Sequence, residues 1–405
     1  MSPFDRERQS VATVGSNAHR CPFDRAFAGR SVFVTGHTGF KGSWLCLWLS
    51  KLGARITGYS LPPPTDPNHF TIAGIEQLLE RNHVADIRDE STLMSAMQAA
   101  QPDVILHLAA ETVVRRGYQI PRETFDINVM GTVTVLECVR QLGRPCAVVA
   151  VTSDKCYENR EQVWGYRECD PMGEHDPYGA SKGAAELAIR AYRDSYFPHE
   201  RLSEHGVKLA SARAGNVIGG GDFTPFALVV DAIHALRHRT PVRLRNPRAL
   251  RPWQHVLQAL SGYLTLASRM LSSDDPVLLG GWNFGPRPGN ELPVSEFLNL
   301  LIREWGEGAW VDASETGQPA ESCILRLAID KALWQLNWKP LWDIHTTLQH
   351  TARWYRAYFD GAESMADLAC QQIATFEQAM LPDRPAPLPL VTAPLPLATT
   401  TPVMS

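Results

Sequence analysis

The chain has 405 residues, and its 39 Lys and Arg against 43 Asp and Glu leave a formal charge of −4. That balance excludes a general nucleic-acid binder, which needs a basic surplus to neutralise phosphates. No apolar run approaches the ~18 residues of a membrane span, and the first thirty residues lack the apolar centre of a secretion signal. The eight cysteines (Cys21, Cys46, Cys138, Cys146, Cys156, Cys169, Cys323 and Cys370) lack paired metal-ligand spacing, so no metal is expected. A soluble, reduced, cytoplasmic protein is expected, with no membrane or nucleic-acid partner. The length allows one large domain with a smaller lobe.

Residues 1–28 are polar, mixed in charge and aperiodic, and are expected as a loose arm. Ser31–Thr35 then reads as a short buried strand. Gly36, Gly39 and Gly42 follow in a G-x-x-G-x-x-G spacing, and Trp44–Leu49 opens an apolar helix. Strand, glycine turn and helix make a dinucleotide site. Its backbone can approach a pyrophosphate, and the helix N-terminus offers N–H groups and a positive dipole end. Gly36, Thr38, Gly39, Phe40 and Gly42 are the candidate cofactor residues there.

Arg55–Tyr59 is a second strand, and Pro62–Pro67 stops regular structure. Ser60 stands where an acid would mark NAD and a basic cluster NADP, so the residues leave the phosphate state open. Ile72–Leu79 reads as a short helix and His83–Ala85 as a strand. Asp86 and Ile87 at its end fit an adenine, or Asp86 belongs to the cap of a helix over Asp89–Ala100. Asp103–Leu108 is a buried strand, and Leu108, Ala109 and Ala110 leave room for a cofactor. Thr124–Leu142 is read as one long helix. Asn128 interrupts its apolar face, either as a cap or surface residue or as an amide fixing a water or a catalytic backbone group.

Cys146–Val151 runs into Thr152, Ser153, Asp154 and Lys155, a polar group at a strand end where open α/β sheets bind ligands. Tyr178 and Lys182 sit at i and i+4 in a helix over Tyr178–Ser195, on one face. An ammonium beside the phenol is expected to lower the tyrosine's pKa from its ordinary ~10. Tyr178 can then take a hydroxyl proton, with Thr152 or Ser153 orienting that hydroxyl.

GHTGFKGSWL at 36–45, TSDKCYEN at 152–159, YGASK at 178–182, GNVIGGGD at 215–222 and RPWQHV at 251–256 resemble the CDP-glucose 4,6-dehydratases. These are extended short-chain dehydrogenase/reductases, and the resemblance runs from about residue 27 to about residue 358. It implies NAD as cofactor, a CDP-sugar as substrate and a product oxidised at C4 and deoxygenated at C6. Implied catalytic residues are Thr152, Asp154, Lys155, Tyr178 and Lys182. Asp154 would protonate the departing 6-hydroxyl, and Lys155 would remove the C5 proton where related dehydratases carry glutamate. A lysine can do so only if desolvation or neighbouring positive charge makes its neutral form reachable. A 4-epimerase would not need Asp154 and Lys155, and a non-catalytic sensor would not need Tyr178 and Lys182.

Val207–Arg213 is the next strand. Asn216 and the glycines 219–221 form a loop near the substrate, followed by a helix over Thr224–Leu236. Val242–Leu244, Val256–Arg269, Val277–Leu279 and Val294–Trp305 are assigned to the smaller lobe. Arg251 is the favoured pyrophosphate ligand, with Arg243 and Arg245 behind it. Two departures bear on specificity. Phe223–Phe226 lacks the tryptophan and acidic–basic pair that the family carries there, and Glu111 replaces its glutamine. Ala320, Glu321 and Ser322 depart as well.

The expected fold is α/β: a Rossmann-type doubly wound parallel sheet with a smaller, interleaved C-terminal substrate lobe. Residues 29–215 would mainly bind NAD, 216–360 would mainly bind the nucleotide-sugar and 361–380 would form a terminal helix. Residues 381–405 hold seven prolines and are expected as an extended or disordered tail. The helices at 124–142 and 178–195 are the expected seam of a homodimer.

Overall fold

The computed structural model describes Phe23 and residues 25–287, 289–314 and 324–381. Seven strands form a sheet in the spatial order 280–283, 207–213, 146–151, 104–107, 31–35, 55–60 and 81–84. Every pairing in it is parallel. Runs such as Val104–His107 and Cys146–Val151 are buried along their whole length, as strands covered on both faces must be. Apolar clusters pack both faces of the sheet.

The strand Ser31–Thr35 pairs with Arg55–Ser60 on one side and Val104–His107 on the other. Chain direction across the sheet reverses here, which opens a crevice at the C-terminal strand ends. The glycine turn lies at its lip. The helix after it spans Phe40–Lys51, four residues earlier than its apolar stretch announces, with Gly39 as N-cap.

Other boundaries differ for local reasons. The Ile72–Leu79 stretch is two short turns, His69–Ile72 and Ile75–Leu78, divided by Gly74 at φ +62°. The 124–142 helix begins at Pro121 and is interrupted by a π-helical turn over Asp126–Met130. The helix expected from Thr224 begins at Leu228, because Pro225 and Phe226 form a turn. Val277 and Leu278 lie in a single helical turn, and the strand Gly280–Asn283 joins the main sheet beside Val207–Arg213. The last two helices, Ile344–Asp360 and Met365–Met380, break at Gly361 in the left-handed region.

The smaller lobe contains helices Leu228–Arg237, Val256–Ser272 and Val294–Trp305 with three two-stranded ladders. Among the described residues no helix is long and apolar enough to cross a membrane. The tail beyond Leu381, residues 320–322, Cys21, Cys323 and most of the N-terminal arm lie outside the described residues.

Candidate active site

The glycine turn is shaped by its neighbours across the sheet. Gly36 has φ +73°, and a Cβ there would stand 2.7 Å from the Ala109 nitrogen. Thr35 Oγ1 accepts from the Leu108 and Ala109 N–H groups, each at 3.1 Å, and lies 2.7 Å from His107 Nδ1. A Cβ on Gly42 would meet the Gly36 carbonyl at 2.1 Å, so only glycine lets the helix sit over the turn. The helix start carries no side-chain cap, leaving its N-terminus to a ligand. The Thr38 hydroxyl is 2.9 Å from Ser60 Oγ and also donates to the Leu61 carbonyl. It ties the turn to the neighbouring strand end.

Asp86 is held by Arg88, whose backbone N and Nε both donate to Oδ1 at 2.9 Å. The helix cap is Asp89, not Asp86. Ile87 is buried against Gly131. Two residues, one in the turn and one at the start of the helix, escaped the sequence reading. His37 is fully buried with Nε2 2.8 Å from Asn82 Oδ1. Lys41 has its ammonium within the field of Asp154, Asp222 and Lys182, and burial pulls its pKa down.

At the end of Cys146–Val151 the two hydroxyls part company. Thr152 Oγ1 donates to Glu186 Oε1 at 2.5 Å, inside a buried pair in which Arg213 Nε and Nη2 both donate to Glu186 at 2.8 Å. Thr152 therefore faces the sheet–helix packing, which corrects its expected catalytic position. Ser153 caps the next turn by accepting from the Lys155 N–H, donates to Asp154 Oδ1 at 2.9 Å and hydrogen-bonds the Tyr178 phenol. Asp154 is buried, and Asn216 Nδ2 approaches its other oxygen at 3.4 Å. A Cβ on Gly215 would stand 1.8 Å from that oxygen, so the carboxylate fits only against glycine. Lys155 is half-buried beside it.

The helix Pro177–Ser195 starts with Asp176 as N-cap, accepting from the Tyr178 and Gly179 N–H groups. Tyr178 and Lys182 are both buried on one face. Burial raises the phenol's pKa, with the Ser153 hydrogen bond opposing it and Asp154 adding to it, which overturns the expected lowering by Lys182. Lys182 is itself pushed down to about 7, by burial first and by Lys41 second. Its ammonium has no hydrogen bond or ion pair among the described residues.

Asn128 is buried, which corrects its reading as a cap or surface residue. Its amide brackets the Glu111 backbone, accepting from the N–H at 2.9 Å and donating to the carbonyl at 3.1 Å. The Glu111 carboxylate turns back to accept from Thr112 and Val113 N–H and to pair with Arg116 at 2.9 Å. Glu111 thus organises its own loop, where it was expected against the substrate.

Next to this centre a cavity of about 630 Å³ is lined by Asn216, Asp222, Arg243, Arg245 and Arg251 among others. Arg245 Nη1 is buried there without a partner, a vacancy suited to an anion. A larger cavity of about 1190 Å³ is lined by Glu186, Arg213 and Lys331 but by none of Ser153, Asp154, Tyr178 or Lys182. Neither cavity is lined by those four side chains, but the smaller one shares Asn216 with the group around Asp154, which joins it to the reaction centre. Among the described residues no His, Cys, Asp and Glu cluster could hold a metal.

The family model described as GDP-mannose 4,6 dehydratase matches residues 33–351. The chain is 46% identical over 352 residues to CDP-glucose 4,6-dehydratase of Salmonella typhimurium, covering 87% of this chain and 97% of that protein. The dTDP-glucose 4,6-dehydratase of Streptomyces venezuelae, solved with NAD bound, superposes with a TM-score of 0.69 at 22% identity, over 82% of this chain and 99% of that one. A UDP-glucose 4-epimerase of Stenotrophomonas maltophila, also with bound NAD, gives 0.69 at 22% identity over 82% and 100%.

Proposed function

The chain belongs to the nucleotide-sugar 4,6-dehydratase family of extended short-chain dehydrogenase/reductases, and on that premise we propose that it converts CDP-D-glucose to CDP-4-dehydro-6-deoxy-D-glucose and water. The observation that carries the reading is the 46% identity along almost the whole of a CDP-glucose 4,6-dehydratase. Ser153, Asp154, Tyr178 and Lys182 gathered at one strand end support it.

Bound NAD supplies two-electron chemistry, a hydride taken from C4 and later returned at C6. The residues fit that cofactor: the cap-free helix start and close-packed glycine turn suit its pyrophosphate, and the unpartnered Lys182 ammonium suits a ribose hydroxyl. Tyr178 accepts the C4-hydroxyl proton as its phenolate, the form that the Ser153 hydrogen bond favours against burial, while Ser153 holds that hydroxyl in the place expected of Thr152. The resulting ketone acidifies C5–H. Asp154, kept in a buried pocket against Gly215, protonates the leaving 6-hydroxyl. Lys155 is the candidate base at C5. Arg245 and Arg251 hold the pyrophosphate of the substrate from the wall of the cavity, with Arg243 at its rim.

Two copies are proposed to pair along the helical stretches 124–142 and 178–195, where Met130 and Leu187 stand exposed. Incubation with CDP-, dTDP-, UDP- and GDP-glucose, followed by mass spectrometry, tests the activity. Loss of one water from the CDP-sugar alone is expected. A product isomeric with its substrate would overturn dehydration in favour of epimerisation.

A further inference from the structure

The Arg115 guanidinium lies 5.3 Å from the centre of the Phe226 ring. Phe226 occupies the third position of a turn over residues 224–227, closed by a 3.4 Å bond from Ala227 N to the Thr224 carbonyl. Pro225 precedes it, and Phe226 has φ +67°. That left-handed position suits glycine, and a phenylalanine holds it only when something outside the turn favours the ring where it is. The ring lines the same cavity as Asn216, Arg245 and Arg251, yet remains 52% exposed.

Arg115 comes from a separate element, the short helix Val114–Gln119. That helix is locked to the reaction centre. Arg116 pairs with Glu111, and a Cβ on Gly117 would stand 3.4 Å from the Tyr178 backbone nitrogen and Cβ. Asp231, an exposed lining residue, feels Arg115 as well: partial desolvation raises its pKa and the guanidinium lowers it. Arg115 thus joins the helix beside the general base to the wall of the nucleotide cavity.

We propose that Arg115 and Phe226 form a clasp across the cavity that retains the 4-keto intermediate until the reaction is complete. The inference rests on the dehydratase reading. In that reaction the two electrons removed at C4 stay on the enzyme until they return to the same sugar at C6. A sugar that leaves early strands the enzyme in its reduced state, so retention is a chemical requirement. A contact between a solvent-facing guanidinium and a half-exposed ring is weak enough to open once per cycle.

The test compares wild type with Arg115→Ala, Phe226→Ala, Arg115→Lys and Phe226→Asp, the last giving Arg115 a carboxylate in place of the ring. One readout is the stopped-flow dissociation rate of CDP. The other is the number of turnovers of CDP-glucose before the enzyme stalls with NADH absorbance. The two alanine variants are expected to release CDP about tenfold faster and to stall sooner, with a 4-keto nucleotide-sugar that keeps its 6-hydroxyl free in solution. The lysine and aspartate variants should recover much of the retention. Unchanged CDP release and stalling in both alanine variants would overturn the clasp, as would slower turnover without stalling. A wild type that binds no CDP would instead overturn the substrate reading on which the clasp depends.

Discussion

Asn128 Nδ2 donates to Ser181 Oγ at 2.8 Å, joining residues 53 apart in sequence. Ser181 in turn donates to the Tyr178 carbonyl at 2.7 Å. Because the same amide brackets the Glu111 backbone, it fixes the strand-end loop to the turn of helix that carries Tyr178 and Lys182. The π-helical turn over Asp126–Met130 presents the side chain inward here.

Asn128→Asp replaces the donor by a buried acceptor that faces the Glu111 carbonyl and the Ser181 hydroxyl. Stability is expected to fall by about 2–3 kcal/mol, the cost of leaving such groups unpaired. Urea unfolding measures this. Turnover should fall as well, because the tyrosine helix loses its tether, and a variant with wild-type unfolding midpoint and kcat would remove Asn128 from the site's framework.

The two neighbouring hydroxyls give opposite expectations. Ser153→Ala should cut turnover in the ~10²–10⁴-fold range seen on removing proton-transfer assistance, with little change in stability. Tyr178→Phe should lie in the same range. Thr152→Val instead takes a donor from the buried Glu186 carboxylate, which burial would neutralise but which Arg213 keeps ionised. It should lower stability by about 1–3 kcal/mol. The pair of kcat values and urea midpoints decides between the two hydroxyls, and a Thr152→Val enzyme crippled in turnover at full stability would reinstate Thr152.

Lys155 is tested by separating oxidation at C4 from elimination at C5. Lys155→Met should still give NADH absorbance on mixing with CDP-glucose while deuterium wash-in at C5 becomes slow. Lys155→Arg keeps the charge but provides no neutral base at accessible pH. It should therefore fail as the methionine variant does. If the arginine variant dehydrates normally, Lys155 acts only as a cation beside Asp154.

Acid should unfold the protein through its buried histidines. His69 stacks on Trp44 at 4.8 Å and is pushed down to about 3 by burial. His107 is also pushed down to about 3, by burial first and Lys182 second. Both pKa values lie below the unfolded value, so between about pH 6.5 and about pH 3 the unfolded chain binds protons that the folded one refuses. Stability is thus full above that window and is lost as pH falls through it. Each histidine contributes at most about 1.4 kcal/mol per pH unit. Urea midpoints measured across the window should fall less steeply for His69→Phe than for wild type, and equal slopes would show that His69 titrates normally.

The local sequence determined the features that depend on spacing along the chain. The glycine turn, the apolar strands and the i, i+4 placement of Tyr178 and Lys182 are all set by backbone geometry within a few residues. Each can be read before any long-range contact forms. The strand Gly280–Asn283 could not be read this way, because a short Gly-Gly-Trp-Asn run has little strand character until Val207–Arg213 offers it an edge. Nor could the roles of Thr152 and Ser153, since which of two adjacent hydroxyls meets Tyr178 depends on where Glu186 and Arg213 lie. The raised pKa of Tyr178 was likewise decided by burial, and the lowered one of Lys182 by burial and by Lys41, more than a hundred residues away in the chain. Desolvation and electric field are sums over everything nearby in space, and only the folded chain defines what is nearby.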